Sequence, residues 1–193
     1  MWEIEWQTLT LQPDRNIQVV FITGRGGTGK TTYAKKMLEK LGYDYCISSS
    51  SNDPFQDYMG QRAIILDDLR DKSFELEDLL KILDNNTKSS VKSRFNNKVF
   101  NGEMIVITSS VPLKYWYPEY RFNRSNDSLD QLYRRINCYI VVTLDYISVY
   151  DESVDLLGAP KGESTIVPNE IVKKYKAKKE KTNFGELFMK IND

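Results

Sequence analysis

Histidine is absent from this 193-residue sequence. That absence removes imidazole acid–base catalysis, Cys–His nucleophile pairs and most zinc sites. Whatever chemistry the chain performs must run on carboxylates, lysine, arginine, hydroxyls and backbone amides. Cysteine is scarce too. The two thiols, Cys46 and Cys138, lie in apolar runs far apart in sequence and read as buried, reduced and inert, the usage of an intracellular protein. Net charge is lacking as well: 27 basic residues balance 27 acidic ones. The chain as a whole is therefore not committed to nucleic acid or to an anionic membrane, and any basic surface must be local. No apolar run approaches the roughly 20 residues needed to span a bilayer, and the first residues do not read as a signal peptide, so no membrane partner is expected.

What is present is a chain with 40% apolar residues, enough to bury a core without disulfide or metal support. Its length suits one domain plus a tail. Continuous apolar runs predict buried strands at 17–23, 45–48, 62–67, 103–108 and 138–144, and helical spacing predicts helices at 30–41, 74–83 and 129–136. Strands alternating with helices imply an α/β fold with a central, mostly parallel sheet. Residues 1–12 read as a lead-in helix or linker, 13–156 as the domain, and 157–193 as a basic C-terminal tail. The stretch 169–181 carries six lysines. Two readings stand for it: a solvated helix face or frayed tail, and a nucleic-acid contact.

The sharpest local signal is Gly24-Arg25-Gly26-Gly27-Thr28-Gly29-Lys30-Thr31, which fits G-x-x-x-x-G-K-[ST] without a mismatch. It follows a predicted strand and opens a predicted helix, the context the P-loop requires. Glycines let the backbone curl so that its N–H groups converge on phosphate oxygens, and the positive end of the helix points to the same place. Lys30 is expected on the β- and γ-phosphates, Thr31 on Mg²⁺, and Thr32 beside them on the nucleotide, ATP. A second carboxylate site is expected at the end of Ala63-Ile-Ile-Leu-Asp67-Asp68. There Asp67 would hold the Mg²⁺ and Asp68 would orient or deprotonate the attacking water. The bland alternative is that the acidic pair merely caps a strand end.

Beyond the phosphate loop, six further elements occur in a telling order. They are Pro13-Asp-Arg-Asn-Ile17, Asp57-Tyr-Met-Gly-Gln61, Asp67-Asp68-Leu69, Leu79-Leu-Lys-Ile-Leu-Asp84, Ile105-Val-Ile-Thr-Ser-Ser110 with Pro112, and Leu132-Tyr-Arg-Arg-Ile136. With them the chain resembles the superfamily 3 helicase domain of rolling-circle replication initiator (Rep) proteins of small single-stranded DNA viruses and related plasmids. The resemblance spans roughly residues 13–145.

The resemblance implies an AAA+-like P-loop NTPase fold and a 3′→5′ DNA helicase motor driven by ATP and Mg²⁺. It implies a homo-oligomer, a six-membered ring with ATP between neighbours. An arginine from one subunit would neutralise transition-state charge in the next, and Arg134 and Arg135 are the candidates. One of the two is expected to pair with a carboxylate instead. The family's motif C usually ends in Asn, whereas Ser110 stands here, and a hydroxyl reaches less far toward a γ-phosphate or lytic water. The family's DNA hairpin falls in the polar, basic interval 85–101. Lys92 and Arg94 are its preferred contacts with single-stranded DNA, followed by Phe95 and Lys98; a solvated basic loop is the plainer alternative.

Rep initiators also carry a nicking domain with a His-hydrophobe-His site. A chain without histidine cannot nick by that mechanism, which implies a fragment or a helicase working with a separate nickase. Work in the cytoplasm is expected for a bacterial plasmid or phage, and in the host nucleus for a eukaryotic virus. Two other classes compete with the helicase: a nucleotide-dependent DNA-binding or assembly module with little turnover, and a small P-loop kinase. Water activation by Asp67-Asp68 weighs against the kinase.

Overall fold

The computed structural model describes residues 16–50, 53–84, 100–122 and 127–172. Among them seven strands form one sheet. In chain order these are β1 (Gln18–Thr23), β2 (Tyr45–Ser48), β3 (Ala63–Leu66), β4 (Met104–Ser109), β5 (Cys138–Val142), β6 (Tyr146–Tyr150) and β7 (Thr165–Pro168). The spatial order is β2-β3-β4-β1-β5-β6-β7. The first five strands in that order pair in parallel, and β6 and β7 are added antiparallel. The fold is thus the expected α/β class with a mostly parallel sheet.

Parallel central strands are covered on both faces, so they are apolar at every position rather than at every second one. Alternate residues serve opposite layers. Val19, Phe21, Ile64, Leu66, Ile105 and Ile107 enter one core, and Val20, Ile22, Ala63, Ile65 and Val106 enter the other. The second core is closed by α1 (Lys30–Lys40), whose Ala34 and Leu38 are fully buried one turn apart. This helix ends with paired backbone bonds from Gly42 N to Glu39 O and from Tyr43 N to Leu38 O, which satisfy its last carbonyls. The first core is closed by α2 (Leu76–Ile82), a 3₁₀ turn at Leu113–Tyr115 and α4 (Asp127–Arg135); the short α3 is Pro118–Phe122. Phe21 anchors this layer, with ring centroids 5.3 Å from both Trp116 and Tyr139. Its truncation to alanine would cost about 3–5 kcal/mol.

The predicted strands and helices fall within a few residues of those observed. The tail boundary differs. Residues 157–172, assigned to a basic tail, belong to the sheet and its packing: β7 pairs with β6, and Val154 bridges Pro160. Asn169, the first residue of the lysine-rich stretch, is fully buried. The lead-in at 1–12, the hairpin residues Lys92, Arg94, Phe95 and Lys98, and the lysines from 173 onward lie outside the described residues. No helix among the described residues is long and apolar enough to cross a membrane.

Candidate phosphate and metal site

The register of the sheet brings the carboxyl ends of β1, β3 and β4 together. Thr23 pairs with Ser109, and Leu66 with Ile107. Open α/β sheets place ligands at that edge. The loop between β1 and α1 starts tightly held, with Gly24 N donating to Ser109 O at 3.3 Å. A Cβ on Gly24 would collide with the Val142 carbonyl, so only glycine allows β5 to pass this close. At the far end, Gly29 takes φ 89° as the residue preceding α1, a left-handed conformation that glycine adopts at no steric cost. Thr28 closes the loop internally, its hydroxyl donating to Arg25 O at 2.9 Å. Arg25, Gly26 and Gly27 are exposed, and Thr31 and Thr32 are half-buried.

Lys30 lies in the mouth of this loop, with Nζ donating to Gly24 O at 2.9 Å and to Arg25 O at 3.1 Å. Burial pushes its ammonium below the ordinary lysine range, while the negative charges of Asp68 and Asp67 push the other way. The ammonium is thus held by two backbone carbonyls of the loop, with two carboxylates near enough to favour its charged form.

The acidic end of β3 is fixed to the same place. Asp67 Oδ1 accepts from Thr31 Oγ1 at 2.7 Å and from Thr108 Oγ1 at 2.8 Å. Thr108 Oγ1 in turn accepts from Asp68 N at 2.9 Å, and Thr108 O accepts from Leu69 N at 2.8 Å. Thr108 on β4 thus orients both acidic residues. Sequence reasoning did not single it out, because a threonine in a buried strand looks like a filler of the apolar run. Asp68 has φ 52°, a left-handed conformation that aspartate tolerates better than most residues. Its carboxylate is more than half exposed and lies 3.6 Å from Arg70.

A hydroxyl and a carboxylate meeting this closely form a hard-oxygen donor pair, which suits Mg²⁺. Among the described residues no cluster of three or more His, Cys, Asp or Glu could hold a metal. Ser110 follows Ser109 at the end of β4 and is half-buried. The two arginines part company. Arg135 is mostly buried, with Nη1 donating to Gln131 O at 2.8 Å and Nη2 lying 3.5 Å from Asp84. Among the described residues it is Arg135 that pairs with a carboxylate, tying α4 to the end of α2. Arg134 is exposed and borders a small cavity with Asp130, Tyr133, Asp155 and Leu156.

The sheet, the phosphate loop and the acidic strand end define a P-loop NTPase, a nucleotide-binding protein. Residues 20–111 match the model of the RNA helicase family. The chain is 46% identical over 133 residues to a replication protein of Onion yellows phytoplasma (strain OY-M), an overlap covering 69% of this chain and 35% of that protein. Among solved structures, the flagellar accessory protein FlaH of Methanocaldococcus jannaschii overlaps 78% of this chain and 86% of its own, with 11% identity and a TM-score of 0.35. The family match and the phytoplasma relative support a Rep-type helicase domain, and the chain spans about a third of the phytoplasma protein's length.

Proposed function

We propose that this domain is the ATP-hydrolysing motor of a replication initiator, moving 3′→5′ on single-stranded DNA as a six-membered ring. The observation that carries the reading is the Thr31–Asp67–Thr108 network, which joins the phosphate loop, the acidic strand and the motif C strand through one carboxylate oxygen. In this reading the loop from Gly24 to Thr32 holds ATP, with Lys30 on the β- and γ-phosphates. Thr31 and Asp67 hold Mg²⁺, which when bound neutralises charge on the phosphates. Asp68 stands at the same strand end, its carboxylate beside Arg70 and more than half exposed to water. Arg134 reaches into the neighbouring subunit's site, since Arg135 is spent within its own. Lys92, Arg94, Phe95 and Lys98 grip the strand. Nicking belongs to a separate domain or protein, and the phytoplasma relative favours a bacterial setting, with work in the cytoplasm.

A second reading, a nucleotide-gated DNA-binding or assembly module with little turnover, is favoured by Ser110 standing where the family's longer amide is usual. ATP hydrolysis measured with and without single-stranded DNA separates the two. DNA-stimulated turnover that is lost in Lys30→Ala and poisoned when Arg134→Ala is mixed with wild type supports the ring motor. ATP binding without turnover under all conditions supports the module and sinks the motor.

A further inference from the structure

The carboxamide of Asn169 is fully buried, and both of its ends are satisfied. Its Nδ2 donates to Thr28 O at 3.0 Å and to Thr143 O at 2.6 Å. Its Oδ1 accepts from Ile171 N at 3.1 Å and from Val172 N at 3.4 Å. Its own backbone N donates to Asp145 O at 2.9 Å. One side chain therefore ties the phosphate loop, the turn between β5 and β6, and the segment after β7 into a single unit. Ile171 closes on the same loop, because a Cβ on Gly29 would lie 2.8 Å from Ile171 Cγ2.

The bond to Thr28 has a geometric consequence. No peptide bond among the described residues is cis, and in a trans peptide the carbonyl and the next N–H point in opposite directions. Holding the Thr28 carbonyl toward Asn169 aims the Gly29 N–H away from the C-terminal segment. A phosphate loop works only while such N–H groups face the anion. Glycine imposes little torsional preference of its own, so the orientation of this peptide depends on what its carbonyl is bonded to. Rotated, it would offer an oxygen where the phosphate needs a donor.

We infer that Asn169 is a positioning residue that sets the Thr28–Gly29 peptide for phosphate, and that it thereby couples residues 165–172 to nucleotide occupancy. The inference rests on the reading of the loop as a nucleotide site. Neither Asn169 nor its neighbours need touch the nucleotide for this coupling, since binding that rigidifies the loop also strengthens the bonds that hold it.

The test is ADP·Mg²⁺ binding by calorimetry on the full chain, with thermal melts in the absence of ligand, for wild type, Lys30→Ala, Asn169→Ala and Asn169→Asp. Asn169→Asp keeps the size and the acceptor for Ile171 and Val172 but loses both donors. The expected result is at least a roughly tenfold loss of ADP affinity in folded Asn169 variants, the scale of one such hydrogen bond. A purely structural role would lower the melting temperature and leave the affinity of the folded protein unchanged. Wild type alone supplies a second readout: amide exchange at Ile171 and Val172 should slow when ADP binds. Wild-type binding abolished by Lys30→Ala but indifferent to Asn169→Ala overturns this inference alone, as does exchange at 171–172 unaltered by ADP. Failure of folded wild type to bind ADP overturns the reading of the loop and this inference with it.

Discussion

The hydroxyl of Thr31 donates to a carboxylate oxygen of Asp67 across 2.7 Å, joining positions 36 apart in sequence. The same oxygen takes a second bond from Thr108 at 2.8 Å, so Asp67 is held by hydroxyls from α1 and β4. This arrangement predicts a shared dependence on the divalent ion. Thr31→Ala and Asp67→Asn should each weaken ATP binding roughly 10–100-fold in Mg²⁺, the scale of one or two charge-assisted bonds. In excess chelator the variants and wild type should converge. A calorimetric titration with and without chelator checks this; a loss that persists undiminished in chelator would mean the pair shapes the loop rather than holding a metal.

Arg134 and Arg135 are adjacent, but their surroundings predict opposite outcomes. Arg135 is bonded to Gln131 O and ion-paired with Asp84, with only 22% of its side chain exposed. Arg135→Ala should therefore cost about 1–3 kcal/mol and lower the melting temperature by several degrees. Arg134 is exposed, and Arg134→Ala should change stability by less than about 0.5 kcal/mol. Thermal denaturation of the two variants decides. Equal destabilisation would remove the reason for preferring Arg134 as the residue offered to a neighbour.

The contrast between these two arginines marks the limit of what sequence reading reaches. The glycine loop was legible because its spacing states a backbone shape, and β1, β3 and β4 were legible because burial on both faces leaves unbroken apolar runs. Asp67 and Asp68 followed from their place at the end of such a run. Which arginine is tied down was not legible, because Asp84 meets Arg135 only after α2 and α4 pack on the same core. β7 was missed for a related reason: all four of its residues are exposed, so no apolar pattern announces it. Asn169 was hidden in a lysine-rich context that suggested solvent, and its meaning depends on Thr28, far upstream.

Cys138 is half-buried, and its thiol is pushed up to about 11, chiefly by burial and then by the charge of Asp151. Only the thiolate reacts, and a free thiol near 8.5 is substantially ionised at pH 8. Native Cys138 should therefore react with an alkylating reagent roughly 100-fold more slowly than a free thiol at pH 8. The rate should climb as pH rises toward 11, because the raised pKa moves thiolate formation upward. Mass spectrometry of the alkylated peptide across pH reads the profile. Fast labelling at pH 8 in the folded protein would contradict the burial of this residue.

Asp68 combines a backbone requirement with a chemical one, and the two can be separated. Its φ of 52° lies in the left-handed region, where asparagine and aspartate are tolerated and alanine is strained by about 1 kcal/mol. Its backbone N–H is spent on Thr108 Oγ1 at 2.9 Å, a bond that any side chain at this position would keep. Asp68→Asn therefore preserves the turn and that bond, and it removes the negative charge together with the exposed ion pair to Arg70. If Asp68 orients or deprotonates the attacking water, Asp68→Asn should bind ATP within a few-fold of wild type and lose about 10²–10⁴ in turnover, the usual scale of a general base. Asp68→Ala should show the same loss of turnover together with a lower melting temperature. Single-turnover hydrolysis beside equilibrium binding gives both numbers, and an Asn variant with undiminished turnover would transfer the water-activating role elsewhere at this strand end.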